Sequence, residues 1–249
     1  MGEAAPIEVR GLTMGYGERV VQRDLAFTVS RGEVFVILGD SGCGKSTLMR
    51  HMVGLQAPVA GDVYYEGEGY WAAGEERREE LKRRFGVLYQ YAALFSSMTL
   101  EENVSLPLLE RAGLAPEDAR EVARLKLALV GLAGFEQHYP SEISGGMKKR
   151  AGLARAMALD PQILYFDEPS AGLDPLTSRR LDDLILELRE SLGTTVVLVT
   201  HELPSLFELG DHAVFLDAEK KTMTALGTPE ELRESPDPKV RAFLARGRL

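Results

Sequence analysis

The sequence is poor in cysteine and in long apolar runs. Cys43 is the only cysteine among the 249 residues, so no internal disulfide can form and the composition suits a reducing compartment such as the cytosol. No apolar run approaches the ~18 residues of a membrane span, and the N-terminus lacks the charged-then-apolar pattern of a signal peptide. We therefore expect any membrane role to come through a partner.

Positive charge is also scarce, because 38 acidic residues outnumber 29 lysines and arginines and leave a formal net charge of -9. This balance does not favour nonspecific binding of nucleic acid, so we expect no nucleic acid partner. His51, His138 and His212 have no ligand spacing with each other or with Cys43, and we predict no zinc site. A hydrophobic fraction of 45% with 27% charged residues is typical of a globular chain.

The most informative stretch is 39–47, GDSGCGKST, which follows the apolar run 34–38 and precedes a predicted helix at 45–53. It fits the phosphate-binding pattern G-x-x-x-x-G-K-[ST], in which backbone N–H groups turn towards phosphate oxygens at a helix N-terminus. Lys45 supplies a cation for the β- and γ-phosphates, and the Ser46 hydroxyl can ligate Mg²⁺. The alternative is a glycine-rich turn that matches by chance. The predicted nucleotide-binding residues are Gly39, Ser41, Gly42, Cys43, Gly44, Lys45, Ser46 and Thr47.

Two carboxylates, Asp167 and Glu168, follow a second predicted strand at 163–166. The carboxyl ends of parallel strands form the edge of a doubly wound sheet where ligands bind. In enzymes with a phosphate loop the strand-end aspartate holds Mg²⁺, which makes Asp167 the metal-side candidate. Glu168 is then the candidate that orients or deprotonates an attacking water. A solvated acidic turn is the alternative, and the phosphate loop upstream disfavours it.

A second glycine-containing stretch, Ser144-Gly145-Gly146, begins a predicted helix that runs to Ala158. Ser144 can cap this helix, and the glycines allow an anion to approach its first amides. Three cations at 148–150 follow in the first turn, where the macrodipole disfavours cations by ~0.3–1 kcal/mol each. A bound anion would remove this conflict. The alternative is a charge cluster in solvent.

Two further residues are candidates for contact with a nucleotide. His201 follows a predicted strand at 194–200 and can hydrogen-bond a γ-phosphate oxygen or a carboxylate through either ring nitrogen. The alternative for a lone histidine is a structural cap. Tyr16 lies between two glycines, which would present its ring for stacking on a base, although most loop tyrosines are surface residues.

Apolar periodicity and capping residues predict the other elements. Further predicted strands lie at 7–12, 25–29, 33–38, 61–65, 85–89, 213–217 and 222–226. Predicted helices lie at 75–84, 99–109 and 116–130, after the Asp174 cap, and after the Thr228 cap. The helix at 75–84 is charge-dense and predicted to be solvated. The helix at 116–130 has apolar spacing at Val122, Leu125, Leu129 and Leu132. The predicted buried stripe of the helix after Asp174 consists of Leu181, Leu184, Ile185, Leu188 and Leu192. The helical middle of the chain, about 90–160, is predicted to be a subdomain.

These motifs occur in an order that resembles the ATP-binding-cassette (ABC) ATPases over nearly the whole chain. Gly39–Ser46 resembles the Walker A loop and Gln90 the Q-loop glutamine. The strand 163–167 resembles Walker B, with Glu168 as its catalytic acid, and His201 resembles the switch histidine. The resemblance implies that Glu168, His201 and Gln90 act in catalysis.

The same resemblance covers the signature and the base-binding aromatic. Ser144-Gly145-Gly146 is similar to the signature motif, with Ile143 and Met147 in place of the usual Leu and Gln. Neither departure removes the Ser144 hydroxyl. The stretch that ends at Asp174 looks like the D-loop, and Tyr16 looks like the aromatic that stacks on the base.

The resemblance implies an α/β fold with a RecA-like P-loop NTPase core, an N-terminal antiparallel β-subdomain and an inserted helical subdomain. It implies one cassette over 1–249, with the subdomain at about 90–160 and a C-terminal helical tail at about 228–249. The implied ligands are ATP and Mg²⁺, with Mg²⁺ held by Ser46, Gln90 and Asp167.

The resemblance also implies a homodimer. In it, Ser144 and Gly146 of one copy would meet the γ-phosphate that Lys45 of the other copy holds. Hydrolysis would therefore need two copies, and the helical subdomain would transmit the movement to membrane subunits.

Three stretches look like the Mla branch of the family: Met147, 89–99 and 237–243. Those ATPases serve phospholipid transport with an integral membrane permease and an MCE-domain lipid-binding protein in bacteria that have two membranes. This resemblance implies a cytoplasmic chain, peripheral on the inner membrane, that docks a permease through 90–99. The alternatives are the ATPase of another ABC import or export system, and a soluble ABC assembly factor without a permease.

Overall fold

The fold is taken from a computed structural model, in which residues 4–17 and 19–245 are described. The strands in those ranges are β1 (Ile7–Tyr16), β2 (Arg19–Val29), β3 (Val34–Gly39), β4 (Ala60–Tyr65), β5 (Glu68–Gly69), β6 (Phe85–Leu88), β7 (Ile163–Asp167), β8 (Thr195–Val199), β9 (His212–Asp217) and β10 (Thr222–Gly227). The α-helices there are α1 (Lys45–Met52), α2 (Glu75–Lys82), α3 (Leu100–Ala112), α4 (Pro116–Leu129), α5 (Gly145–Ala156), α6 (Pro175–Leu192), α7 (Leu203–Leu209), α8 (Pro229–Arg233) and α9 (Pro238–Ala245). The chain forms two compact units, one from the described parts of Met1–Lys82 and Gly193–Leu249, the other from Arg83–Leu192.

The first unit contains an antiparallel sheet with the strand order β2-β1-β4-β5. The pairing of β1 with β2 shifts register between Val9 and Leu12 and again after Leu12. Strand β1 continues to Tyr16, beyond the predicted end at Leu12, because these irregularities break the alternation that marks a strand in sequence. This sheet fits the implied N-terminal antiparallel β-subdomain.

The first unit also contains the parallel strands β3, β8 and β9, with β10 antiparallel to β9. Every residue of β3 and β8 is buried, as expected of parallel strands covered on both faces. Ile37 pairs with both Val199 and Val214. The carboxyl ends of β3, β8 and β9 therefore lie side by side, and the residues that follow β3 and β8 begin at one edge.

The second unit combines a parallel strand pair with helices. Strand β6 runs parallel to β7, with Leu88 opposite Phe166. Helices α3, α4 and α5 pack on one another, and α5 also contacts α6. Thr99 starts α3 with a capping box and Ser144 caps α5, as predicted. The mixed α/β architecture predicted from the sequence is confirmed.

The apolar spacing on α4 does not mark its buried face. Leu125 and Leu129 are 59% and 47% exposed, whereas Ala119 and Ala123 are fully buried. Alanine does not hold neighbouring helices apart, and the Ser105 hydroxyl of α3 donates to the Ala119 carbonyl at 3.3 Å. The close approach of α3 therefore selects the alanine face of α4, which the apolar spacing in the sequence does not reveal.

Other differences lie at element ends and in short helices. Leu192, predicted buried, is 52% exposed at the last residue of α6. The charge-dense helix α2, predicted to be solvated, buries Leu81 completely. Helix α7 was not predicted. Helices α8 and α9 lie in the predicted C-terminal tail, whose residues 246–249 are outside the described residues, as are residues 1–3.

No helix in the described ranges has the length and apolar character needed to cross a membrane. The predicted bounds of the helical subdomain, about 90–160, fall within the compact unit Arg83–Leu192 and stay a prediction.

Candidate nucleotide-binding site

The loop 39–44 leaves the buried strand β3 and ends where α1 begins. Its backbone depends on glycine, since Gly39 and Gly44 have φ angles of 147° and 104°, which L side chains rarely adopt. A Cβ on Gly39 would lie 2.4 Å from the Leu216 carbonyl oxygen, whereas a Cβ on Gly42 would meet no atom within 4 Å. The loop is therefore packed against protein at Gly39 and open at Gly42, an arrangement that fits a bound phosphate chain.

Lys45 is the first residue of α1 and is 6% exposed. Its Nζ donates to the carbonyl oxygens of Gly39 at 2.9 Å and Asp40 at 3.3 Å, so the ammonium group is held against the loop backbone. The residue before the helix, Gly44, has no side chain with which to cap it. Amides at an uncapped helix N-terminus favour an anionic ligand.

Gln22 and the side chain of Cys43, itself a loop residue, are buried against the loop backbone. Gln22 is fully buried, and its Nε2 donates to the Cys43 carbonyl at 2.7 Å and the Asp217 carbonyl at 3.1 Å. Sequence reasoning missed Gln22, because a glutamine in a strand gives no local sign of such distant partners. Cys43 is 1% exposed, and burial raises the pKa of its thiol. The thiol is thus part of the packing of the loop.

The structure places Tyr16 and His201 in the same unit as the phosphate loop. The Tyr16 hydroxyl lies 3.5 Å from Thr47 Oγ1, and the side chain is 51% exposed, as a base-stacking ring requires. The hydrogen bond with Thr47 lowers the pKa of Tyr16. His201 is exposed and lies two residues beyond Val199, whose partner Ile37 lies two residues before Gly39. His201 and the start of the loop therefore share one sheet edge.

The second unit brings together the ends of β6 and β7. Gln90 lies two residues beyond Leu88 and Glu168 two residues beyond Phe166, and Leu88 pairs with Phe166. Asp167 is the last residue of β7. Glu168 has a φ of 48°, a left-handed conformation that is unfavourable for a residue with a Cβ. The backbone thus turns sharply at the predicted catalytic acid.

Lys149 links these two strand ends. It is 6% exposed, and its Nζ donates to the Gln90 carbonyl and, at 3.4 Å, to the Glu168 carbonyl. Arg150 donates to the carbonyl oxygens of Val130 and Gly131 at 3.1 and 3.3 Å. Two of the three cations at 148–150 therefore bind backbone carbonyls, and an anion at the start of α5 stays a prediction. Sequence reasoning missed this role because the partners are distant in the chain.

Ser144 accepts a hydrogen bond from the Met147 amide at 3.3 Å and so caps α5. A Cβ on Gly146 would lie 2.5 Å from Thr177 Cγ2, so the glycine is needed for α5 to pack on α6. A cavity of about 220 Å³ opens beside these residues. Its lining contains no carboxylate and consists of Ser144, Gly146, Met147, Arg150, Leu173, Thr177, Arg180 and Leu181.

The charge of this cavity favours an anion. Burial lowers the pKa of Arg150, and the positive charge of Arg180 lowers it further.

Asp174 lies just before α6 and uses its carboxylate to cap that helix: Oδ1 accepts from the Leu176 and Thr177 amides at 3.1 Å. The hydrogen bond from the Thr177 hydroxyl lowers the pKa of Asp174. Asp174 thus has the predicted capping role.

The predicted site residues therefore form two groups. The first unit holds Tyr16, the phosphate loop and His201, a set that suits the base and phosphates of a nucleotide. The second unit holds Gln90, Asp167 and Glu168 at one pair of strand ends, and Ser144 beside a positively charged cavity. The second set combines two carboxylates, an amide oxygen and a cavity lined by two arginines.

Comparison with known proteins agrees with the predicted ATP-binding-cassette fold. The family model described as ABC transporter matches residues 22–171. A dimeric ATP-binding cassette, solved in a post-hydrolysis state bound to ADP and Pi, superposes with a TM-score of 0.79 and 28% identity, over 89% of this chain and 98% of that one. The predicted P-loop ATPase fold is thereby confirmed.

Two curated relatives cover 96% of this chain. The intermembrane phospholipid transport system ATP-binding protein MlaF of Escherichia coli K12 is 40% identical, over 88% of its own length. The probable ribonucleotide transport ATP-binding protein mkl of Mycobacterium tuberculosis H37Rv is 41% identical, and the chain spans 66% of its length.

Proposed function

The chain belongs to the ABC transporter family, and from that premise we propose that it is the ATP-hydrolysing subunit of a transporter for phospholipids. It works as a homodimer, bound through a permease to the cytoplasmic face of the inner membrane of a double-membrane bacterium. The assignment of phospholipid as cargo rests on the 40% identity to the phospholipid transport ATP-binding protein over 96% of this chain.

The phosphate loop supplies nucleotide binding in this proposal. Its backbone amides and the amides at the start of α1 bind phosphate oxygens, and Lys45 exchanges its carbonyl partners in the loop for the β- and γ-phosphates. Tyr16 stacks on the base through its exposed ring. Pre-positioned amides and a buried cation stabilise the charge that develops on the transferred phosphoryl group.

Glu168 supplies the chemistry of hydrolysis. Its carboxylate orients the attacking water and accepts its proton, while Gln90 and His201 orient the water and the γ-phosphate. The left-handed backbone at Glu168 is held by the hydrogen bond from Lys149 to its carbonyl. A wrongly aimed carboxylate would leave the water unactivated, so Lys149 helps to position the catalytic acid.

The oxygen donors fit Mg²⁺. The Ser46 hydroxyl, the Gln90 amide oxygen and the Asp167 carboxylate are hard ligands of the kind that Mg²⁺ prefers. A bound Mg²⁺ would neutralise phosphate charge. Ser46 lies in the first turn of α1, and Asp167 is the last residue of β7; we propose that both would hold the ion.

A second copy completes the site. The cavity beside Ser144 and Gly146 carries Arg150 and Arg180 with no lining carboxylate, which suits the γ-phosphate end of a nucleotide held by another copy. The solved cassette is dimeric and bound to ADP and Pi, which supports a two-copy assembly, and we infer the arrangement of the two copies for this chain. The backbone of Gly146 and the Ser144 hydroxyl would then meet the γ-phosphate, with Gly145 and the Asp174 turn beside them.

The permease contact in this proposal is the segment 90–99. Tyr91 and Phe95 are 86% and 51% exposed, while the backbone beneath them is fixed. Arg155 donates to the carbonyls of Ala92 and Ala93 at 3.1 and 2.7 Å, and both alanines have left-handed φ angles of 59° and 51°. Exposed aromatic side chains on a fixed backbone are typical of a docking surface.

A second candidate function differs only in cargo. The relative named for ribonucleotide transport is 41% identical over the same 96% of the chain, so a transporter with that cargo would use the same ATPase chemistry. We propose an MCE-domain lipid-binding partner only for the phospholipid transporter.

Isolation of the intact complex tests the proposal. We expect detergent-solubilised membranes to yield this chain together with an integral membrane subunit and bound phospholipid. Recovery without any membrane subunit would contradict a transporter role and favour a permease-free assembly factor. Recovery with a permease but with nucleotides in place of lipid would favour the second candidate.

A further inference from the structure

The C-terminal helix α9 brings an ammonium group to the phosphate loop. Lys239 Nζ lies 3.1 Å from Asp217 Oδ1, 3.4 Å from Glu219 Oε1 and 3.9 Å from Asp40 Oδ2. Asp40 is the second residue of the loop 39–44, and the other two carboxylates lie at and after the end of β9. One cation therefore joins the loop, the end of a core strand and the C-terminal helix.

The carboxylates stabilise the Lys239 ammonium group, which the helix dipole and burial both disfavour. Lys239 lies in the first turn of α9, where the helix dipole disfavours a cation. Its side chain is only 28% exposed. Burial lowers the pKa of Lys239, but the hydrogen bonds and charges of Asp217 and Glu219 together outweigh burial and raise the pKa overall. Asp217 is 1% exposed, so this hydrogen bond is shielded from solvent. The ammonium is held in place by its acidic partners.

The same aspartate is connected to the loop from beneath. The Asp217 carbonyl accepts a hydrogen bond from Gln22 Nε2, which also donates to the Cys43 carbonyl. Lys239, Asp217 and Gln22 thus form one polar chain that reaches the loop at Asp40 and at Cys43. Lys239 lies in the stretch 237–243 that resembles the Mla branch, whereas Gln22 and Asp217 lie outside the motifs named above.

Where this polar network reaches the loop, at Asp40, it lies next to Lys45, the predicted phosphate-binding cation. Lys45 Nζ donates to the Asp40 carbonyl at 3.3 Å, so a displacement of Asp40 changes the position of the Lys45 ammonium. The remote end is also fixed, because Phe243 of α9 packs edge-on against Phe215 of β9 with ring centroids 5.2 Å apart. A movement of α9 would be transmitted to Asp40 through Lys239.

We propose that Lys239 is a positioning residue for the phosphate loop: by binding Asp40 and Asp217 together, it holds the loop in the conformation that binds the nucleotide, and the C-terminal helix thereby sets nucleotide affinity. This inference rests on the proposed function, since it takes 39–46 to be the nucleotide site. It adds a residue outside that site that tunes the affinity.

The test is nucleotide binding and steady-state ATPase kinetics with the full chain. We expect Lys239→Met to raise the Kd and the KM for ATP about fivefold, as loss of a partly buried ion pair does, and to leave kcat within about twofold. Lys239→Arg keeps the charge and should restore most of the affinity. A purely structural anchor would instead lower the thermal unfolding midpoint with no change in Kd.

Lys220 offers a matched control. It forms a 2.7 Å ion pair with Asp237 just before the same helix. We expect Lys220→Met to leave the Kd for ATP unchanged. An equal Kd for Lys220→Met and Lys239→Met would overturn the inference.

Asp40→Asn removes the same ion pair from the loop side, which keeps the test informative if Lys239→Met does not fold. If Lys239 sets nucleotide affinity through Asp40, the two substitutions together should raise the Kd no more than Lys239→Met alone. Additive effects would contradict the coupling. The reference is Lys45→Ala: if it weakens ATP binding and Lys239→Met does not, the inference fails alone, whereas an unchanged Kd for Lys45→Ala means that the proposed nucleotide site is wrong.

Discussion

Glu168 combines a functional carboxylate with an unfavourable backbone. Glu168 directly follows the last residue of β7 and has a φ of 48°. This left-handed conformation is unfavourable by about 1–3 kcal/mol, so it persists only where the surrounding structure fixes it. The Lys149 ammonium, which donates to the Glu168 carbonyl, is part of those surroundings. Strain that persists at a strand end beside candidate site residues supports a catalytic role for Glu168.

We expect Glu168→Gln to bind ATP normally and to lose turnover by about 100- to 10,000-fold, because the amide cannot accept a proton from water. ATP binding and single-turnover hydrolysis measure the two effects. Glu66→Gln is a matched control, since Glu66 also has a left-handed φ, of 53°, and lies in an exposed ion pair with Arg31. Near-parental hydrolysis by Glu168→Gln would mean that the role of Glu168 is wrong.

Cys43 is expected to react slowly with alkylating reagents. Burial removes the thiol from solvent and raises its pKa, so at pH 8 the native chain should be labelled more slowly than the urea-unfolded chain, in which the thiol titrates normally. Because the fold favours the neutral thiol, its effect on stability is absent below the ordinary pKa. The free energy of unfolding should fall as the pH rises above that value. Equal labelling rates of the native and unfolded chains would show that the thiol is accessible.

At the scale of elements, local chemistry was predictable and tertiary choices were not. The start of α3 at Thr99 and of α5 at Ser144 could be predicted because a cap involves residues within one turn. The buried face of α4 could not, since apolar size alone favours Leu125 over Ala123, and only the approach of α3 reveals the alanine face. Lys149 was equally hidden, because its Gln90 partner is 59 residues away.

The segment 90–99 gains its fixed backbone from α3. Asn103 is fully buried; its Oδ1 accepts from the Phe95 amide at 2.7 Å. Its Nδ2 donates to the carbonyls of Phe95, Met98 and Thr99 at 2.9–3.1 Å. One side chain thus replaces the hydrogen bonds that regular structure would supply to this irregular segment.

We expect Asn103→Ala to destabilise the chain by about 1–3 kcal/mol, because it removes four hydrogen bonds and takes from the Phe95 amide and the Met98 carbonyl the partner that Asn103 supplies. The Phe95 amide should also exchange its hydrogen faster. Urea unfolding and hydrogen exchange measure the two effects. Ser105→Ala on the same helix removes one hydrogen bond, at 3.3 Å, and should cost less. Unchanged exchange at Phe95 would contradict the account of this segment.

At the scale of the whole molecule, the predicted site residues are divided by function. The phosphate loop with Lys45 lies in one compact unit, and Ser144 with its positively charged cavity lies in the other. The sequence predicted both motifs, because each is a local pattern of glycine and polar side chains. Whether the two motifs act on one nucleotide within one chain or between two copies is a property of assembly, which no local pattern encodes. The relation to a dimeric cassette favours two copies.

The most direct test of the account mixes two inactive variants. Lys45→Ala disables the phosphate loop, and Ser144→Arg fills the exposed capping position beside the cavity; each chain alone should lose ATP hydrolysis. In a mixed dimer, the phosphate loop of the Ser144→Arg chain would face the Ser144 of the Lys45→Ala chain and form one intact site. We predict that a 1:1 mixture regains about a quarter of the parental ATPase rate, because half of the dimers are mixed and each has one intact site of two. A mixture no more active than either variant alone would contradict a site built from two copies.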